Sequence, residues 1–243
     1  MSKPQFLLGL PVEFKQLCMV YPPKVKEVIG NAAFPIYSRI LTLSQEDIED
    51  EFNEQGIDMS KLLSPFEYIL NNALNSKPFE VLVFKAFEMF IHEPIAPIYD
   101  QKKILIGDLK DVKSTAELRF LDEDDYFDFQ NLVRESLGAK TVEPPNFLEH
   151  PKIRAMKAKA RYRDRVKAKS KNTPTLETML TSLCCMNYGL NPLNIGELSY
   201  AAMPQLISRY QEKEKYDLDI KSLLAGADSK KVKPKYWIRN IED

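Results

Sequence analysis

Side chains able to do chemistry are few and scattered. The chain holds two histidines, His92 and His150, and three cysteines, Cys18, Cys184 and Cys185. Metal sites need His, Cys or carboxylates clustered at set spacing. There is no Cys-x-x-Cys pair, and no metal or other cofactor is expected. The glycines lie too far apart for a dinucleotide fingerprint or a Walker loop, and no Gly-x-Ser-x-Gly elbow occurs. Nucleophilic catalysis would have to join Cys18 or the vicinal pair to a distant histidine, and nothing in the spacing favours it. Cys184 and Cys185 sit in an apolar run, where cysteine behaves as a small buried hydrophobe. An odd cysteine count without paired spacing is no disulfide framework. No catalytic residue is assigned, and the expectation is a protein that is not an enzyme.

Carboxylates form two clusters, Glu46 to Glu51 and Asp122 to Asp125. Both fall where helices are expected to begin, and the positive end of a helix dipole favours acids there. An oxygen-ligand cation site at Asp122, Asp124 and Asp125 would lack the glycine and distal glutamate of an EF-hand.

The feature that asks for a functional account is basic. Between Lys152 and Lys171 ten lysines and arginines face a single acid, Asp164, although the whole chain has a formal net charge of only −1. Drawn as a helix, the segment has one faint apolar line at Ile153, Met156 and Ala160 and another at Tyr162 and Val166. Such a stretch is a solvated helix, a disordered arm or a surface that meets negative charge. The negative charge can be the phosphates of a nucleic acid. It can equally be acidic patches of this chain, of a second copy or of another protein. Near-neutral overall charge favours protein partners. A second candidate is the C-terminal tail, where Tyr236, Trp237 and Ile238 stand among basic residues. Trp, Tyr and Arg dominate binding hot spots, but the tail can also dock back on its own chain. The residues assigned to partner binding are Lys152, Arg154, Lys157, Arg161, Arg165, Tyr236, Trp237 and Arg239.

The elements that must position these residues read as helices. Eight glycines in 243 residues are too few for an all-β fold full of tight turns. The start signals are Ser44 ahead of Glu46 and Asp47, Ser64-Pro65-Phe66-Glu67, Asp122, and Thr173-Pro174. Asn194 and Glu197 have capping-box spacing, and the helix that follows is expected to jog at Pro204. Gly138 and Gly226 read as helix stops. A helix from Pro78 to His92 is apolar on nearly every face, which marks the centre of a core or part of an interface, and the rule that large apolar residues are inside favours the core. Strands are expected at Ile98-Tyr99, Ile104 to Ile106 and Glu117 to Leu121. The fold class is mainly α with a small antiparallel β element. Residues 1–143 are expected to form a helical module with a hairpin, 144–172 a basic connector, and 173–243 a C-terminal helical module with an aromatic, basic tail. The apolar patch from Leu7 to Val12 is interrupted by Pro11 and lacks a cleavage pattern, so it does not read as a signal peptide. No stretch is long and apolar enough to span a bilayer, and a cytoplasmic protein is expected.

Several short strings carry a resemblance. They are Tyr21-Pro22-Pro23-Lys24-Val25-Lys26-Glu27, Leu41-Thr42-Leu43-Ser44-Gln45-Glu46-Asp47-Ile48, Tyr210-Gln211-Glu212-Lys213-Glu214-Lys215-Tyr216, Leu223-Leu224-Ala225-Gly226-Ala227 and Tyr236-Trp237-Ile238-Arg239-Asn240. In these the chain resembles small tail-morphogenesis proteins of bacteriophages and phage-derived tail-like particles, above all tail assembly chaperones. The resemblance covers the two ends and not residues 50–200. It implies a non-enzymatic helper that binds tape-measure or tail-tube protein in the host bacterial cytoplasm, or a baseplate or other component retained in the virion. It transfers no catalytic or binding residue. Homo-oligomerisation and nucleic-acid binding through 152–171 are the further partner options, and no membrane partner is expected.

Overall fold

The computed structural model describes residues 3–55, 63–107, 118–143, 153, 156–157, 160–161, 163, 175–186, 189–228 and 230–238. In chain order the elements are α1 (Pro4–Leu7), β1 (Val12–Phe14), β2 (Cys18–Val20), α2 (Val25–Ile29), α3 (Phe34–Thr42), α4 (Gln45–Gln55), α5 (Pro65–Asn75), α6 (Lys77–Ile91), β3 (Ile95–Ile98), β4 (Lys103–Ile106), β5 (Arg119–Leu121), α7 (Glu123–Ser136), α8 (Leu176–Cys185) and α9 (Ala202–Leu224). The protein is mainly α with two small antiparallel sheets, β1-β2 and β3-β4-β5.

Helix α6 is the centre of the main core. Val83, Ala86, Phe87, Phe90 and Ile91 are buried on it, and only Val81 among its large apolar residues is clearly exposed. Helices α3 and α5 pack against it, and α7 lies against α3, α5 and β2. The three-stranded sheet runs Ile95↔Ile106 in one pairing and Ile104↔Leu121 in the other. Pro97 lies inside β3 at the sheet edge, where a missing N–H breaks no ladder. Glu117, expected at the start of the last strand, lies outside the described residues.

Helix α7 is positioned by signals at both ends. The Asp122 side chain accepts from the Asp125 N–H at 3.3 Å. At the other end Gly138, at φ +70, closes a Schellman motif: the Gly138 N–H bonds the Glu135 carbonyl and the Ala139 N–H bonds that of Arg134. Its face toward α3 is polar. Gln130 donates to the Leu43 carbonyl at 2.5 Å and Arg134 to the Thr42 carbonyl. These are end carbonyls of α3 that no helical N–H reaches, so the buried Gln130 and half-buried Arg134 side chains of α7 cap α3 from outside.

Three expectations need correction. Ser64 does cap α5, accepting from the Glu67 N–H at 3.2 Å, but the Glu67 carboxylate turns to Lys102 and leaves the capping box half formed. Asn194 precedes a short 3-10 turn, Ile195–Glu197, and the long helix begins only at Ala202. Pro204 therefore sits in the first turn, where a missing N–H costs nothing, and no jog is required. Helix α8 is capped by Thr175, whose side chain accepts from the Thr178 N–H at 3.2 Å; Thr173 and Pro174 lie outside the described residues.

A second, smaller core crosses the boundary expected between the modules. Val25 of α2 is buried with Leu183, Ile195 and Met203. The backbone stitches the same seam. The Val25 N–H donates to the Leu198 carbonyl and the Tyr200 N–H to that of Pro23, each at 2.9 Å, and the buried Ser199 hydroxyl donates to the Phe6 carbonyl at 2.6 Å. On the surface of this seam Glu197 receives both Lys24 and Lys26. Hydrogen bonds from Lys24 first and Lys26 second hold its carboxyl down at about 2, against a usual 4.5. A depressed carboxyl contributes stability that is present above pH 4.5 and is lost as pH falls through about 2. In a carbon-13 NMR titration of the Glu197 carboxyl, Lys24→Met is expected to move the midpoint up toward 4.5. An unmoved midpoint would remove Lys24 as the main cause.

Candidate functional site

The acidic start of α4 is where Arg161 of the basic segment lands. Ser44 and Asp47 form a reciprocal capping box there: the Asp47 N–H donates to the Ser44 hydroxyl oxygen at 3.2 Å, and the Asp47 carboxylate accepts from the Ser44 N–H at 2.9 Å. Ile48 and Phe52 turn inward with Leu43 and Tyr68. Helical spacing then gathers Glu46, Glu49 and Asp50 on another face. Arg161 binds all three, at 3.1 Å to Glu46, 3.7 Å to Glu49 and 3.3 Å to Asp50. Three neighbouring carboxylates repel, and the guanidinium offsets that repulsion. Arg161→Ala is expected to destabilise the protein by about 1–3 kcal/mol at low salt and less at high salt. Arg161→Lys recovers only part, because an ammonium lacks the planar fork. Urea unfolding of the three proteins at two salt concentrations checks this, and an alanine variant as stable as wild type at low salt would disprove it.

Of the other basic residues assigned to binding, Lys157 has helical backbone and is exposed. Lys152, Arg154, Arg165 and Arg239 lie outside the described residues. The neighbouring apolar side chains Ile153 and Met156 are 49% and 72% exposed, so this apolar line does not face the core.

The tail docks back on its own chain. The Tyr236 ring meets that of Tyr216 edge-on at 5.7 Å, and the Trp237 carbonyl accepts from Arg209 at 3.1 Å. Trp237 is half-buried, whereas Tyr236 and Ile238 remain exposed. Helix α9 buries only its first turn, Ala202 and Met203. It ends in a second Schellman motif at Gly226, from which the tail departs.

A third feature was not legible in the sequence. The N-termini of α4, α5 and α7 converge on a cleft of about 340 Å³. Phe66, Tyr126, Phe127, Pro65 and Val142 give it apolar walls; Glu46, Glu123, Asp124 and Glu143 line it with charge. One wall is the stretch at Val142, held by the Asn131 side chain, which donates to the Val142 carbonyl at 3.1 Å and accepts from its N–H at 2.8 Å. The second acidic cluster is thereby divided. Asp122 caps α7, and Asp125 binds Lys15 at 2.7 Å together with Asp128. These two carboxylates raise the Lys15 ammonium above its usual range. Glu123 and Asp124 are exposed, and no ion pair holds them or Glu143 among the described residues.

The residues first searched for chemistry are dispersed. Cys18 is buried, and burial, followed by the charge of Glu93, pushes its thiol up to about 12, so it stays protonated at neutral pH. Cys184 is half-buried on α8 and Cys185 exposed. His92 takes a left-handed conformation at the end of α6 and stacks on Tyr21, ring centres 4.1 Å apart. His150 lies outside the described residues. Among the described residues no three His, Cys, Asp or Glu side chains are grouped to hold a metal ion, and no helix is long and apolar enough to cross a membrane.

Comparison with known families gives one partial match. Residues 167–242, the stretch that includes α8, α9 and the tail, match the model of the YomV second domain. That family is phage-associated, so the C-terminal third is similar to a phage protein domain. No curated protein and no solved structure matches the chain.

Proposed function

We propose that this is a non-enzymatic phage protein that works by holding partner chains during tail morphogenesis, as a tail assembly chaperone or a small tail or baseplate component. The observation that carries the reading is the match of residues 167–242 to a phage-associated domain. Two features support contacts with protein. The exposed side chains Ile153 and Met156 stand beside the cation Lys157. Beyond its first turn, α9 offers a long, largely solvated face with Leu218 and Leu224 exposed. Arg161, from the middle of the basic run, binds protein carboxylates rather than standing free for phosphate.

The test is co-expression with the tape-measure, tail-tube and baseplate proteins of the same phage, followed by affinity capture. Retention of one of them through a salt wash supports the reading. Capture of none, together with DNA binding that weakens steeply with salt, would overturn it in favour of a nucleic-acid role for residues 152–171.

A further inference from the structure

The cleft at the α4, α5 and α7 N-termini has an apolar floor and a charged rim, and the sign of the rim selects its occupant. Three helix ends contribute about +0.5 elementary charge each. Arg161 adds one more positive charge at Glu46. Four lining carboxylates, Glu46, Glu123, Asp124 and Glu143, outweigh these, and Asp47 and Asp122 add two more at the starts of α4 and α7. The balance is negative, so the three converging helix ends do not make an anion site. Beneath the rim the Phe127 side chain is half-buried and Phe66 and Tyr126 are buried. An aromatic or aliphatic side chain of a partner would find apolar surface there, and a flanking Lys or Arg would find carboxylates. The protein already contains one such contact. Arg161 comes from outside the cleft and settles on Glu46 at its edge, 3.1 Å away.

We infer that this cleft is a docking site for a basic segment of a partner protein, one that carries an apolar or aromatic residue between lysines or arginines. The inference rests on the reading that the chain holds partner proteins, and it names where and by what chemistry. Glu123 and Asp124 meet the cationic groups, and Phe127 packs against the apolar residue.

The experiment is fluorescence anisotropy on the full chain with a labelled Lys-Phe-Lys-Lys-Phe-Lys peptide at low salt. Saturable binding is expected, weakened about ten-fold by the double variant Glu123→Gln/Asp124→Asn and by a smaller factor in Phe127→Ala. Glu88→Gln, an exposed acid on α6, should bind as wild type does. A Glu-Phe-Glu-Glu-Phe-Glu peptide should not bind. All substituted positions are exposed or half-buried, and circular dichroism confirms that each variant folds. No saturable binding, equal affinity in the double variant, an equal loss in Glu88→Gln, or binding of the acidic peptide would each overturn the assignment. Sedimentation of the protein alone adds another test: a dimer abolished by the double variant would give the cleft to a second copy and overturn it as well. Peptide binding with failed capture of tail proteins would leave the cleft and remove the phage-tail reading. Capture that survives the double variant, with no peptide binding, would do the reverse.

Discussion

Phe129→Ala is expected to destabilise the fold by about 3–5 kcal/mol, the largest effect of any single substitution proposed for this chain. Phe129 is fully buried. Its ring stacks on Phe87 of α6 at 5.5 Å and 6°, and meets Phe14 of β1 edge-on at 5.6 Å and 69°. Tyr126 lies 6.3 Å away on the same helix. One ring thus joins the hairpin, the central helix and α7, and alanine would leave a cavity that three separate elements must collapse together to fill. In a chain of this size a kilocalorie lowers the melting temperature by roughly 2–4 °C, so thermal unfolding should drop by about 6–20 °C. Phe127→Ala, two residues away in the cleft, is expected to cost far less because its side chain is half-exposed. A Phe129 variant that loses no more than the Phe127 variant would show that the aromatic contacts are not central to the core.

What was legible in the sequence depended on local chemistry. Helix ends with a cap or a glycine were readable, and Ser44, Ser64, Asp122, Gly138 and Gly226 each do what the residue type suggests. The apolar run that forms α6 was readable because its composition leaves no other place for it. The hairpin of β1 and β2 was not. Its turn places Lys15 and Gln16 at φ 45 and 58, a left-handed pair that usually announces itself by Gly or Asn. Tertiary contacts hold the turn instead, with Lys15 tied to Asp125 and Asp128. Helix α3 was also hidden. Phe34-Pro35 reads as extended chain, because a residue before proline is disfavoured in the helical region. In the fold these are the first two helical residues, where proline's missing N–H is no loss.

The candidate site was legible in kind but not in place. Charge asymmetry marked the basic stretch as a solvated face or a surface for negative charge, and the acidic patch that Arg161 meets belongs to the same chain. Arg161 and Asp50 are 111 residues apart, and nothing local in either segment names the other. Back-docking of the tail was one of two open readings, and the Tyr216–Tyr236 and Arg209–Trp237 contacts that show it join residues about 20–30 positions apart. The cleft was illegible because its walls come from three helix starts and the stretch at Val142. Glu46, Glu123 and Asp124 each have a sufficient local explanation as a helix-start charge, and Glu143 reads as an ordinary surface acid. Only the three-dimensional placement shows that Asp122 caps and Asp125 is ion-paired, while among the described residues no ion pair holds Glu123 or Asp124.

Gly138→Ala is expected to be the second most damaging change, at about 2–4 kcal/mol, and its effect should be felt at a distance. Two causes add. The left-handed φ of +70 penalises any Cβ. The added Cβ would also lie 2.9 Å from the Ala201 carbonyl oxygen, 3.2 Å from the Ala201 Cα and 3.1 Å from Pro204 Cγ. Two of those three are backbone atoms, so relief requires the start of α9 to move away from the end of α7. Hydrogen exchange should therefore accelerate through the first turns of α9 and at the Ser199 seam with Phe6. Gly226 separates the two causes. It holds the same Schellman position at φ +94, but its added Cβ would meet nothing within 4 Å. Gly226→Ala is expected to cost only the conformational share, about 1 kcal/mol, with no change in exchange at Ser199. Gly138→Asn, which tolerates the left-handed region but keeps the Cβ, should recover only the smaller part of the loss. Equal costs at Gly138 and Gly226 would mean that the close approach of α7 to α9 contributes nothing, and that the C-terminal helices are held through the seam with α2, Glu197 and Phe6.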